Sequence, residues 1–217
     1  MGCDIHAHID YDDFMTTEGK MWVSCFCQSL DFGRNYTLFT LMAGVRHDPR
    51  TDRYGPLFEA RGLPDRASFA VCRKHCLRVA DKQADEEGCC SAKDAEGWVA
   101  EGYSRWANDE HTKVTNPDWH TPSWLTAEDL EKVKTAYESI EFPERSWFQM
   151  RPPEEQSIPE GSVATELDCQ HGKEWYVEIG EKKTYPAPRT FNAIIAAMRT
   201  LDGDQPGRSR LVFWFDN

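Results

Sequence analysis

The sequence predicts an α+β fold: one domain over 1–217, with a central, mainly antiparallel sheet that includes the N- and C-terminal strands. Three observations carry this. CDIHAHID at 3–10 alternates polar and apolar residues with the period of a strand. The closing run RLVFWFDN is apolar and short enough for a buried strand. Between them lie segments with helical spacing of apolar residues, separated by turn-rich stretches, a pattern of strands and helices that builds an α+β domain. About four helices and long loops complete the prediction, and 217 residues suit a single core.

The elements follow in order. MWVSCFCQS at 21–29 reads as a second strand. In YTLFTLMAGV, Leu38, Leu41, Met42 and Val45 recur at helical spacing and Gly44 stands near the end. RHDPRTDRYGPLFEARGLPDRAS is rich in Pro, Gly, Arg and Asp and is a long loop. FAVCRKHCLRVADKQADEE, closed by Gly88, reads as a helix, and 88–122 as a polar, irregular stretch with scattered Trp. TAEDLEKVKTAYESI is the clearest helix. Thr126 and Asp129 have capping-box spacing, and Leu130, Val133, Tyr137 and Ile140 form its apolar stripe. RPPEEQSIPEG at 151–161 is a Pro-rich connection, and KEWYVEIGEKK is a strand with a turn. TFNAIIAAMRTLDG is a helix through Phe191, Ile194, Ile195, Met198 and Leu201.

Composition narrows the function classes. The net charge of −12 argues against a nucleic-acid polymer as partner, because such binding depends on Lys and Arg neutralising phosphates. It leaves room for a small anion, since a few Arg can converge locally. No basic-plus-apolar leader opens the chain and no run of about 18 apolar residues occurs, so no membrane partner is expected and the location expected is cytoplasmic. In that setting the eight Cys read as reduced thiols. No P-loop, dinucleotide-binding glycine motif or nucleophile elbow is present.

Four groups of residues could carry chemistry. Asp4, His6, His8 and Asp10 share one side of the first strand, where imidazoles and carboxylates can ligate a divalent metal or act as acid and base. An ordinary half-exposed strand would show the same alternation. Asp118, His120, Ser123 and Trp124 precede the N-cap of the clearest helix, where unpaired N–H groups favour anions. For Trp124, a role in stapling the helix to the core is the simpler account. Arg34, Tyr36, Arg46 and Arg61 offer planar forks and a stacking ring for a phosphorylated ligand, although each Arg has a local structural explanation too. Cys72, Cys76, Cys89 and Cys90 are a candidate structural zinc site. Their C-x3-C…CC spacing departs from the usual knuckles, and simple packing of buried thiols accounts for them as well.

The MGCDIH start, R-x-Y-x-LF-x-LMAGVR at 34–46, RGLPD-x-x-S at 61–68, D-x-H-T-x-SWLT at 118–126 and the closing VFWFDN span nearly the whole chain. In this the chain resembles a family of small bacteriophage and prophage proteins. The resemblance implies phage origin and action in the host cytoplasm, and it singles out Asp4, His6, Arg61, Asp118, His120, Ser123 and Trp124. It also implies that the Cys-containing stretch 69–116 is an insertion. The family pattern carries a second His, as HSHSWLT, where this chain has Thr121 and Pro122, which weakens a metal scheme based on two His there.

Together these readings lead to one expectation. The strand face at Asp4, His6 and His8 adjoins the loop of Asp118, His120 and Ser123, and Arg34, Arg46 or Arg61 completes a polar pocket for a nucleotide-like ligand. The protein would then sequester an immune signalling nucleotide as a counter-defence factor. The alternatives are a metal-dependent hydrolase, with His6, His120 and Asp118 as candidate catalytic groups, and a protein-interaction module without a pocket. The oligomeric state, including a homo-oligomer, is open.

Overall fold

The computed structural model describes residues 3–13, 21–25, 30, 33–47, 54–64, 66–101, 105–107, 112–150, 161–169 and 172–216. The end of the expected second strand (26–29), the middle of the long loop (48–53) and nearly all of the Pro-rich connection (151–160) lie outside the described residues.

The two terminal strands pair directly. β1 (Ile5–Asp13) runs antiparallel to β11 (Ser209–Phe215), with His6 opposite Trp214, His8 opposite Val212 and Asp10 opposite Arg210. β2 (Met21–Ser24) flanks β1, and β7 (His120–Leu125) flanks β11, so the order is β2-β1-β11-β7. β11, one of the two inner strands, is buried along its whole length. That is why the C-terminal run is apolar on both sides rather than alternating.

One face of this sheet presents Ile5, Ala7, Ile9, Leu125, Leu211, Phe213 and Phe215 to three helices. α1 (Tyr36–Ala43) contributes Leu38, Phe39, Leu41 and Met42; α4 (Ala127–Ser139) contributes Leu130 and Val133; α5 (Arg189–Asp202) contributes Phe191, Ile194, Ile195 and Met198. Local chemistry sets their limits. The Asn35 side chain accepts from the Leu38 amide to begin α1, and Gly44 ends it in the left-handed conformation at φ 70°. α4 begins with the complete capping box that Thr126 and Asp129 predict. Thr126→Ala is expected to lower stability by about 1 kcal/mol, with urea unfolding as the measurement. An unchanged midpoint would show that the box is idle.

The opposite face, where Asp4, His6, His8 and Asp10 lie, is not the half-exposed surface that alternation suggests. α2 (Phe69–His75), capped by the Ser68 side chain on the Val71 amide, lies across it. Val71 packs with Val212 and Trp214 in a second small core, with Leu63, Ala67, Trp119 and Trp124 around it. His8, Asp10 and Asp12 are consequently buried.

Two more sheets complete the fold. β4 (Cys89–Cys90), β3 (Cys76–Val79), β6 (Thr112–Thr115) and β5 (Arg105–Ala107) form one in the order β4-β3-β6-β5; only β3 and β4 run parallel. α3 (Ala92–Ala100) covers it through Ala95, which meets Cys90 and Val114. β8 (Arg145–Gln149), β10 (Gly172–Ile179) and β9 (Val163–Cys169) form the other, antiparallel throughout. The long helix expected over 69–87 is therefore corrected: it ends at His75 and the chain turns directly into β3. No sequence breaker marks that point. The pairing of Cys76–Arg78 with Lys113–Thr115 decides it, a tertiary contact overriding local propensity. The stretch 88–122 is likewise ordered rather than irregular where described. Among the described residues, no helix is long and apolar enough to cross a membrane.

Candidate functional site at the end of the central sheet

β1 carries its polar residues from a buried end to an accessible one. Asp12, Asp10 and His8 lie under cover, His6 is part-exposed, and Asp4 reaches the rim. The ladder with β11 extends one residue further through Asp216, whose amide donates to the Asp4 carbonyl at 3.2 Å. The Asp216 carboxylate then makes two bonds. Oδ1 accepts from the Asp4 amide at 2.8 Å, and Oδ2 lies 3.1 Å from His6 Nε2. With Asp216 ionised, the proton sits on Nε2 and leaves Nδ1 as the basic, accepting nitrogen, which is how a carboxylate orients an imidazole for acid–base work.

Two arginines stand beside this pair. Arg34 grips the Asp4 carboxylate with a fork, Nε to Oδ1 at 2.5 Å and Nη2 to Oδ2 at 2.8 Å, and both side chains are about half exposed. Arg34 holds the Asp4 carboxyl below its usual range by that hydrogen bond. The Arg46 guanidinium stands close enough to the Cys3 thiol to pull its pKa down, and it lies 5.7 Å over the Tyr36 ring. Burial nevertheless keeps the Cys3 thiol above its ordinary value, so it is no activated nucleophile. The Tyr36 ring, 38% exposed, packs edge-on to Phe39.

His120 comes to the same end of the sheet by an irregularity. A register shift between Phe213 and Phe215 places His120 opposite Phe215, with their rings stacked at 5.8 Å. Its Nδ1 lies 2.9 Å from Thr121 Oγ1, while Nε2 is buried and has no hydrogen-bond partner among the described residues. The neighbouring Trp119 points the other way, onto His6 at 4.7 Å, and its indole N–H donates to the Lys74 carbonyl of α2. Thr121 has φ 50° and Arg46 φ 61°. Each left-handed residue costs roughly 1–2 kcal/mol, and a β-branched residue in that region is a true outlier. These two fall at this end of the sheet; the third such residue among those described, Arg66 at φ 58°, lies beside Arg210 instead.

The sequence-predicted residues thus divide. Asp4, His6, Arg34, Tyr36 and Arg46 gather here, while His120 reaches the same end of the sheet on the face away from His6. His8 does not reach the rim; it stacks on Trp214 at 5.7 Å under α2. Arg61, Ser123 and Trp124 form a separate group at the β7 edge. Arg61 bonds Asp129 at 2.8 Å and the Trp124 carbonyl at 3.3 Å, its guanidinium lies 4.9 Å over the Trp124 ring, and its amide donates to Ser123 Oγ. That set fastens a loop to the start of α4. Asp118 is exposed, and its amide is held by Asn116 Oδ1. The expected anion-binding loop before α4 is corrected as well: His120–Leu125 is a strand, and Ser123 is buried.

The expected four-thiol zinc site does not assemble. Cys72 and Cys76 stand one helical turn apart, Cys89 lies beside Arg78, and Cys90 is enclosed with Ala95 and Val114. Among the described residues no three His, Cys, Asp or Glu are grouped to hold a metal. Sequence reasoning missed Asp216, Cys3 and Trp119. The signal for Asp216 was present: in VFWFDN, an antiparallel partner for β1 sets Trp214 and Asp216 on the side of His6 and Asp4. No protein family, curated protein or solved structure matches this chain.

Proposed function

We propose that this protein binds a small phosphorylated ligand of nucleotide type at the Asp4–His6–Arg34–Arg46 end of its central sheet. We further propose that it serves as a phage-encoded counter-defence factor in the host cytoplasm, holding an immune signalling nucleotide out of circulation. The observation that carries the reading is the convergence of two arginines, a half-exposed tyrosine ring and a carboxylate-oriented histidine on an otherwise acidic chain.

The parts match a nucleotide's parts. Arg34 and Arg46 offer forks to phosphate. The Arg34–Asp4 pair is exposed, and solvent-screened pairs of this kind contribute little, so a phosphate can exchange for the carboxylate cheaply. Asp4, once released, suits a sugar hydroxyl, as acidic residues do on ribose. Tyr36 supplies a face on which a base can stack, a contact worth roughly 1–3 kcal/mol. Backbone strain at Arg46 and Thr121 fits a site whose geometry is held at a cost.

A panel of cyclic and linear nucleotides, with and without EDTA, tests this by calorimetry and by mass spectrometry of the denatured complex. Expected is recovery of one intact nucleotide, with Arg34→Ala and Arg46→Ala each weakening binding about tenfold or more. Arg61→Ala, remote from the cluster, should leave binding unchanged. Wild-type binding by both cluster variants would remove the site, and failure of every nucleotide to bind would favour the protein-interaction reading. The His6–Asp216 pair favours a second reading, hydrolysis with His6 as general base. New products that vanish in His6→Ala, while binding persists, would establish it; EDTA sensitivity would bring a metal into it.

A further inference from the structure

We infer that Cys72 and Cys76 form a redox-active dithiol, in which Cys72 attacks a small disulfide such as glutathione disulfide and Cys76 resolves the adduct. The inference is independent of nucleotide binding. The Cys76 amide donates to the Cys72 carbonyl, so the two residues stand one helical turn apart on one face. That spacing sets their Cα atoms about 6 Å apart, inside the roughly 4.4–6.8 Å that a disulfide spans. Both are free, the two thiols lie close enough to shift each other's pKa, and Cys72 Sγ also donates to the Ala67 carbonyl at 3.7 Å. The pair also sits where the backbone changes from helix to strand: Cys76 is already extended, at φ −118°. A junction of this kind can adjust to a new bond more readily than the interior of a helix.

The two thiols differ in the way the chemistry requires. Cys72 is partly accessible and Cys76 is buried. The neighbouring Cys76 thiol and the ammonium of Lys113 on β6 draw the Cys72 thiol down to about 7, against burial and the Asp10 charge. The Cys72 thiol and burial push Cys76 up. The thiolate is the nucleophile, so Cys72 attacks first. It displaces one glutathione thiolate and becomes the mixed disulfide. Cys76 then loses its proton to solvent, attacks the Cys72 sulfur and releases the second glutathione. Two protein thiols are oxidised to one disulfide, and glutathione disulfide is reduced to two glutathione thiols.

The full chain, treated with a metal chelator and without, is exposed to glutathione disulfide near pH 7 and digested for peptide mass mapping. Expected is loss of two hydrogens from the peptide joining Cys72 and Cys76, with Cys72 alkylated roughly five times faster than the part-buried Cys25 and Cys89 in the reduced protein. Cys76→Ala should trap a stable glutathionyl adduct on Cys72, and Cys72→Ser should abolish both products. Because wild-type mapping needs no variant, the test survives misfolding of either one. Reaction at Cys25 or Cys89 ahead of Cys72, or absence of the Cys72–Cys76 disulfide, would overturn the inference. So would thiols that react only after chelation, because a metal would then hold them.

Discussion

Replacing Arg210 with Met is expected to cost about 3–5 kcal/mol at pH 7, the range for breaking a buried ion pair on one side. Arg210 is only 6% exposed and Asp10 not at all. They lie opposite each other in β11 and β1, with Arg210 Nη2 3.7 Å from Asp10 Oδ2. Each also has partners beyond the other, although Asp10 Oδ1 is buried with no hydrogen-bond partner among the described residues. The Arg210 guanidinium lies 3.6 Å over the Trp22 ring and donates to the Arg66 carbonyl, while Asp10 accepts from the amide of Ser68, the residue that caps α2. One pair thus joins β1, β2, β11 and the start of α2. Methionine keeps the stem and removes the charge, leaving Asp10 buried with a neutral donor.

The pH dependence of that deficit separates charge from packing. Burial already pushes the Asp10 carboxyl above its ordinary value, with Ser68 and Arg210 pulling it back. Without Arg210 it rises further. A raised carboxyl holds its proton more tightly folded than unfolded, so its effect favours the folded state at low pH and fades as pH climbs through the folded value. Urea unfolding should therefore show a smaller deficit at pH 4 than at pH 7. A pH-independent deficit would assign the loss to packing alone, and one below about 1 kcal/mol would show that the pair contributes no more than a surface pair.

This pair also shows where sequence reading loses information. Alternation in CDIHAHID identifies β1 and its two faces, and the apolar RLVFWF run identifies its partner. The capped helices α1 and α4, and α5 with its periodic stripe, are equally legible, because their determinants lie within one or two turns. What covers the polar face is not local. α2 is short and amphipathic only in the context of Trp214, and its end is set by β6, some forty residues later. So His8 and Asp10 read as solvent-facing, and they are core.

The same distinction divides the candidate site. Asp4, His6, Arg34, Tyr36 and Arg46 carry residue types whose chemistry is visible in isolation. Asp216 gains its meaning only from antiparallel register, and His120 only from an irregularity in β7 that no residue spacing announces. Arg61 and Ser123, which also looked like ligand groups, are consumed in holding a loop to α4.

Acidification from pH 6.5 to about 4 is expected to remove roughly 3 kcal/mol of stability through His75 alone, at about 1.4 kcal/mol per pK unit. His75, the last residue of α2, is fully buried, packs against Trp214 at 5.0 Å and, among the described residues, has no hydrogen-bond partner at either ring nitrogen. Burial alone lowers its pKa from 6.5 to about 4. Between those values the unfolded chain binds a proton that the folded chain refuses. Stability is therefore complete above about pH 6.5 and declines as pH falls through 4. Other groups act elsewhere or in the opposite sense. Asp129 and Glu131, held low by Arg61 and Arg199, lose their contribution only at the acidic end, and Asp10 gains on acidification. His75→Phe keeps an aromatic ring against Trp214 and removes the titration. Its urea midpoint should change little between pH 7 and 5, where the wild type already loses ground. An equal decline in both proteins would move the acid sensitivity away from α2; a flattened curve would show that a neutral imidazole, wedged between helix and sheet, sets the acid limit of the fold.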